Sequence, residues 1–252
     1  MIKLIKAIRL PECFGVVALG FIAFKYAGIK PESLTLITLL FVIASTMLQN
    51  DWRDRFHDIE KGKTFASERP ALFLCWLILF WIICGGLIMV LFFKYPIVAG
   101  FLLGLAAIGA VYSETRRLPL LPVTLVSFTA ASPILLPLAF GASFAVIAPL
   151  FAATVLILFG RETLHDIADA KVDRGYKQTV PLFLGDKLAR IAVAATLVGG
   201  CGFAVAISPT ALIGSAFIIW GLTGIVKDIR VVQVRRRIDV GLVFLALGLA
   251  LA

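Results

Sequence analysis

Residues 71–93 read ALFLCWLILFWIICGGLIMVLFF, with no charge anywhere in the run. About 20 such residues carry a helix across the hydrocarbon of a bilayer. A stretch apolar on every side also has no polar face to turn toward water. The same signal recurs along the chain and predicts spans at 10–29, 33–49, 71–93, 96–112, 119–140, 143–160, 187–207, 209–227 and 238–252. Composition agrees, with 61% hydrophobic residues and a mean hydropathy of +1.02, where a soluble domain is closer to half apolar. The expected fold class is therefore all-α: a polytopic membrane helix bundle of about nine transmembrane helices, forming a single domain over 1–252. Pro119, Pro122, Pro133 and Pro137 predict kinks in the fifth span. Gly100, Gly104 and Gly109 predict close helix contacts in the fourth. Cys13, Cys75, Cys84 and Cys201 lie inside apolar blocks without CxxC spacing, so they read as packing residues rather than a disulfide or zinc framework. The first apolar block lacks the small-residue pattern of a cleavable signal peptide.

A net charge of +9 would suggest nucleic acid in a soluble chain. Here the charges sit in the connections between apolar blocks, so membrane orientation accounts for them and no nucleic-acid partner is expected. With nine alternating spans, all of the 24 Lys and Arg except Lys25, Lys30 and Lys94 fall on the side of the N-terminus. The positive-inside rule makes that side cytoplasmic. The expected location is the cell membrane, multi-pass, with the N-terminus and the main polar loops in the cytoplasm. Of the 15 Asp and Glu, only Glu32 falls on the far side. Carboxylates contribute little to orientation, so their clustering calls for another reason.

The loop after the second span carries Asn50, Asp51, Asp54 and Asp58, and the loop after the sixth carries Asp166, Asp169 and Asp173. The aspartates of each set stand at i, i+3 and i+7, positions that share one helix face. Each set follows directly on a span, so the helix of the span is expected to run into it. Asn50–Asp54–Asp58 would form one stripe and Glu162–Asp166–Asp169–Asp173 another. Like charges so spaced repel, and a cation should compensate. Hard oxygen ligands on open, one-faced arrays suit Mg²⁺, which keeps waters and takes one or two carboxylates plus phosphate oxygens. The absence of thiolates argues against zinc, and His57 and His165 read as hydrogen-bonding groups. A solvated loop of mixed charge is the bland alternative, and two equally spaced sets on one side weigh against it.

These motifs resemble the UbiA superfamily of intramembrane prenyltransferases, whose pattern is N-D-x-x-D-x-x-x-D after the second span and a second aspartate-rich motif after the sixth. Arg161-Glu-Thr-Leu-His-Asp-Ile-Ala-Asp, followed by Asp173, Lys177, Thr179, Pro181 and Gly185, is similar to the second-motif run of several branches. The chain departs from the pattern in reading Glu68-Arg69-Pro70-Ala71-Leu72 for R-P-I-P-S-G, and in placing Val172 where a glycine is usual. Tyr112 is followed by Arg116 and Arg117 without the customary asparagine further on.

The resemblance implies a UbiA-like fold in membrane lipid. It also implies Mg²⁺-dependent transfer of a prenyl group from an allylic prenyl diphosphate to a hydrophobic or amphipathic acceptor, aromatic or glycerophosphate-type. Two Mg²⁺ would be held by Asn50, Asp51, Asp54, Asp58, Asp166, Asp169 and Asp173, from motifs facing each other. Asp54, Asp58, Asp166, Asp169 and Tyr112 would be catalytic, and Arg69, Arg117, Lys177, Arg9 and Arg53 would contact diphosphate. Two other readings stand beside this one. A terpene cyclase on the same scaffold would need no acceptor. A transporter of divalent cations or organic anions would be favoured by acids within the spans, whereas here they cluster at one face.

Overall fold

The computed structural model describes residues 4, 7–226 and 231–251. Lys3, Lys6, Lys227 and Arg230, counted in the charge distribution above, lie outside the described residues. All regular structure among the described residues is helical. The α-helices are α1 (Leu10–Tyr26), α2 (Ser33–Arg53), α3 (Phe65–Glu68), α4 (Pro70–Lys94), α5 (Pro96–Val111) and α6 (Leu121–Ala131). They continue with α7 (Phe144–Asp173), α8 (Val180–Leu184), α9 (Asp186–Ile207), α10 (Leu212–Val226) and α11 (Val231–Ala250). Short 3₁₀ turns cover His57–Ile59, Tyr112–Arg117, Ser132–Phe140 and Pro209–Ala211.

Five segments are long and apolar enough to cross a membrane: Ser33–Arg53, Pro70–Lys94, Leu121–Phe140, Phe144–Asp173 and Asp186–Ile207. Pro96–Val111 and Pro209–Ile225 are shorter apolar helices. In α2 and α7 the apolar span ends near residues 49 and 160, and the charged turns continue beyond it. Outward positions on α4 are bare hydrocarbon, with Ile82 65% and Phe93 78% exposed, a surface fit for lipid rather than water. Of the four prolines expected to kink the fifth span, Pro119 precedes α6 and Pro122 lies in its first turn, where proline is tolerated, and the other two appear as a change of helix type. α6 gives way at Ser132 to a 3₁₀ segment that contains Pro133 and Pro137, because proline removes a helical donor and crowds the preceding turn.

The chain forms two compact units, Met1–Phe21 with Pro31–Glu114, and Ile22–Lys30 with Thr115–Ala252. In the first, α2 packs on α4 and α5. Ala44, Leu48, Phe73 and Leu77 form its core together with Cys13 and Ala66. Of the three glycines expected to bring α5 close to a neighbour, only Gly109 does so. A Cβ there would stand 2.3 Å from the Thr46 methyl, whereas Gly100 and Gly104 have nothing within 4 Å. In the second unit the two most extensive helix pairs are α7 with α9 and α10 with α11. Each is closed by glycine. A Cβ on Gly200 would meet Ile157 at 2.5 Å, and one on Gly214 would meet the Leu245 backbone at 2.2 Å. The four cysteines are free thiols, as their placement in apolar blocks implies.

Candidate functional site

The first acidic motif does not continue as a helix. α2 stops at Arg53, and Asp54 takes φ −88°, ψ 3° with its N–H donating to the Asn50 carbonyl. The expected Asn50–Asp54–Asp58 helical stripe is therefore replaced by a helix end, a cap and a 3₁₀ turn. Arg55 gives a physical reason. Its guanidinium donates to the Trp52 carbonyl at 2.9 Å and lies 4.3 Å from the Trp52 ring centroid. That contact satisfies a terminal carbonyl the next helical turn would otherwise take. Asp58 is then held by backbone. Its N–H donates to the Asp54 carbonyl at 2.8 Å, and its own carbonyl receives the Lys63 N–H at 2.9 Å. Gly62, at φ +75°, turns the chain back to permit this.

The carboxylates here are buried, with Asp51 7%, Asp54 2% and Asp58 3% exposed. Two are matched by cations of the same unit. Arg9 Nη2 donates to Asp51 Oδ1 at 2.9 Å. Lys63 Nζ lies 3.0 Å from Asp58 Oδ2 and 3.6 Å from Asp51 Oδ1. Burial pushes the Asp51 carboxyl up, and Arg9 and Lys63 act against that. Arg9 reaches its partner from a backbone at φ +53°, a strained conformation for a non-glycine residue. Arg53 pairs with Glu114. Arg69 is exposed between α3 and α4, and Tyr112 sits half-buried where α5 ends.

The second motif does continue its helix. α7 runs unbroken through Asp166 and Asp169 to Asp173, helped by Ala168 and Ala170, residues of high helix propensity. Gly175, at φ +85°, lies just past its end. Asp173 is 2% exposed, and its carbonyl accepts the N–H groups of Tyr176 and Lys177, both at 2.9 Å. Beyond the apolar span, burial pushes the Asp166 carboxyl up to about 7, with Glu162 and Asp173 adding to the rise. Lys177 and a hydrogen bond from the Val180 N–H oppose it. The Thr179 hydroxyl beside it is buried without a hydrogen-bond partner among the described residues.

Three features of this region carry no distinguishing signal in the sequence. Arg116, rather than the exposed Arg117, is tied to the second motif. Its carbonyl accepts the Gln178 N–H at 2.8 Å, and its guanidinium hydrogen-bonds the Tyr176 hydroxyl. Arg161 donates to Glu162 at 2.7 Å and to Asp239 at 2.8 Å, linking α7 to α11. Lys63, in the other unit, is one lysine of a basic loop until Gly62 turns it back.

Among the described residues no group of three or more His, Cys, Asp or Glu side chains comes together to hold an ion. An ion here would complete its sphere with waters or phosphate oxygens, which is how Mg²⁺ binds. The donors fit that ion: hard carboxylate oxygens without thiolate, a raised Asp166 and an unsatisfied Thr179 hydroxyl. Within the first unit the structure brings together Arg9, Asp51, Asp58 and Lys63. Within the second it brings together Asp166, Asp173 and Lys177.

No protein-family model and no curated protein matches the chain. Solved structures do. The chain is similar to a digeranylgeranylglyceryl phosphate synthase, with a TM-score of 0.73, 14% identity, and coverage of 99% of this chain and 96% of that one. It is similar to a UbiA homolog from Aeropyrum pernix K1 (TM-score 0.69, 14% identity, 95% and 97% coverage). It is also similar to a UbiA homolog from Archaeoglobus fulgidus bound to DMAPP and Mg²⁺ (TM-score 0.62, 17% identity, 94% and 99% coverage). The chain shares the fold of these UbiA homologs.

Proposed function

We propose that the chain is a Mg²⁺-dependent intramembrane prenyltransferase that moves a prenyl group from an allylic diphosphate to a hydrophobic or amphipathic acceptor. The observation that carries this is a pair of aspartate motifs, the first buried and the second part-buried, at the polar ends of two apolar helices, α2 and α7, in a chain of UbiA fold. UbiA homologs of that fold bind DMAPP or GPP together with Mg²⁺. The proposal includes nine spans and a cytoplasmic N-terminus, with both motifs on the cytoplasmic side.

Asn50, Asp54 and Asp58, and Asp166, Asp169 and Asp173, are the proposed metal ligands. Mg²⁺ held by these residues, taken here as two ions, would supply positive charge to a diphosphate leaving group. Asp51 is committed to Arg9 and Lys63 and positions that segment. Lys177, beside Asp166, and Arg116, oriented by Tyr176, contact phosphate oxygens. Arg9 and Arg53 already have carboxylate partners, and the exposed Arg69 and Arg117 remain candidates for diphosphate contact. The ring of Tyr112 flanks the allylic carbon, where an aromatic face favours developing positive charge. The similarity to digeranylgeranylglyceryl phosphate synthase makes a glycerophosphate-type acceptor the first to try, ahead of an aromatic one.

The test is diphosphate release from labelled geranylgeranyl diphosphate, in membranes with Mg²⁺, by wild type, Asp54→Ala and Asp166→Ala. Undiminished release by both variants would sink the assignment. Release that needs no acceptor and yields a cyclic hydrocarbon would identify a cyclase instead. Flux across proteoliposomes without turnover would identify a transporter.

A further inference from the structure

The α10–α11 hairpin carries a feature that neither acidic motif touches. An open cleft of about 400 Å³ lies along it, lined by Trp220, Gln233, Arg236, Arg237 and Val240. On α11, Gln233, Arg236, Arg237 and Val240 recur at helical spacing and so share a face. Arg237 is laid over Trp220, its guanidinium carbon 4.3 Å from the ring centroid, which fixes the donors of the fork in one plane.

The charge around the cleft is uneven. Asp239, the acid nearest in sequence, is already taken up by Arg161 at 2.8 Å and by Arg235 at 3.7 Å. Among the described residues, Arg236 and Arg237 have no carboxylate partner. The same α11 face then becomes hydrocarbon: Val240 is 43%, Phe244 41% and Leu247 54% exposed. Phe244 is stacked flat on Phe217 of α10, with centroids 5.1 Å apart. Two cationic donors, an amide and an indole therefore stand at the head of an open apolar strip on a helix of the membrane domain.

We propose that this cleft binds the phosphate headgroup of an anionic membrane phospholipid, whose acyl chains lie along Val240, Phe244 and Leu247. Arginine suits this role, since its fork meets phosphate oxygens in pairs. Trp220 places an amphipathic ring where headgroup and hydrocarbon meet. A soluble phosphate or diphosphate offers the same chemistry to the two arginines but leaves the apolar strip without a counterpart, so a lipid is the better fit.

The experiment uses the full chain in phosphatidylcholine liposomes that contain a small fraction of brominated phosphatidylglycerol or, in parallel, of brominated phosphatidylcholine. Bromine quenches nearby indoles, and the difference between wild type and Trp220→Phe isolates Trp220. Phosphatidylglycerol is expected to be preferred by about fivefold or more, from basic residues close to an anionic headgroup. Arg236→Gln/Arg237→Gln should abolish the preference, and Lys187→Gln, an exposed charge elsewhere, should keep it. Equal quenching by the two lipids, or a preference that survives the double variant, overturns the proposal. Loss of the preference on adding millimolar inorganic diphosphate at constant ionic strength overturns it in favour of a soluble anion. Should the double variant not fold, the wild type suffices: a preference that does not weaken with salt is not a headgroup contact with these arginines.

Discussion

The two acidic motifs share the offsets i, i+3, i+7 and differ in almost everything physical. The first breaks its helix at Arg53 and distributes its carboxylates over a helix end, a cap and a 3₁₀ turn. The second keeps all three on one helix. The first is neutralised from within, by Arg9 on Asp51 and by Lys63 on Asp58 and Asp51. In the second, Asp166 bears enough uncompensated burial and repulsion to stand at about 7. Identical spacing therefore does not imply equivalent sites. In the first motif Arg9 and Lys63 meet two of the carboxylates, whereas at Asp166 of the second burial outweighs Lys177.

The sharpest way to break this contrast is to remove carboxylates and read chemistry. Asp166→Ala and Asp54→Ala should each lower diphosphate release about a hundredfold or more, the scale of losing a group that stabilises transition-state charge. Lys187→Gln, an exposed charge outside both motifs, serves as comparison at equal protein levels.

Stability should single out Asp51. Asp51→Ala leaves Arg9 part-buried without its partner and should cost about 2 kcal/mol, a buried-pair penalty discounted for solvent at Arg9. Lys187→Gln, at an exposed charge, should cost little, as followed by thermal denaturation in detergent. Equal losses would refute the idea that the Arg9–Asp51 pair helps hold the first unit together. Lys63→Gln should lower the Mg²⁺ concentration needed for half-maximal binding severalfold, because the ammonium no longer competes for Asp58. Isothermal titration of the metal alone, without substrate, would show no change if Lys63 were merely structural. The smallest effects belong to the turns. Gly62→Ala and Gly175→Ala place a side chain at positive φ, each at about 1 kcal/mol, and Gly62→Ala should also blunt the Lys63→Gln effect.

Much of this was legible in the sequence. The apolar blocks foretold helices, the prolines of the fifth span foretold its break, and acid spacing located both motifs. What the spacing could not convey was where α2 would end. That rests on one side chain, Arg55, choosing the Trp52 carbonyl, and helix periodicity is silent on such local competition. Gly100 and Gly104 carry the same signal as Gly109, yet only Gly109 meets a neighbour, since contact depends on which face packing selects. Arg116 and Arg117 are indistinguishable in a string, and contacts with Tyr176 and Gln178 distinguish Arg116 in the fold.

The unbroken course of α7 has a mechanical corollary. Gly160, whose Cβ would strike Leu197 at 2.7 Å, marks a tight crossing with α9, and from there to Asp173 the helix extends about 20 Å at 1.5 Å per residue. Pivoted at that crossing, α7 is a lever. A tilt of about 5°, within what bilayer thickness imposes on spanning helices, would swing its acidic tip by nearly 2 Å. Turnover compared in bilayers of short and long acyl chains would show whether the tip feels the membrane, and turnover independent of chain length would show that the lever is clamped.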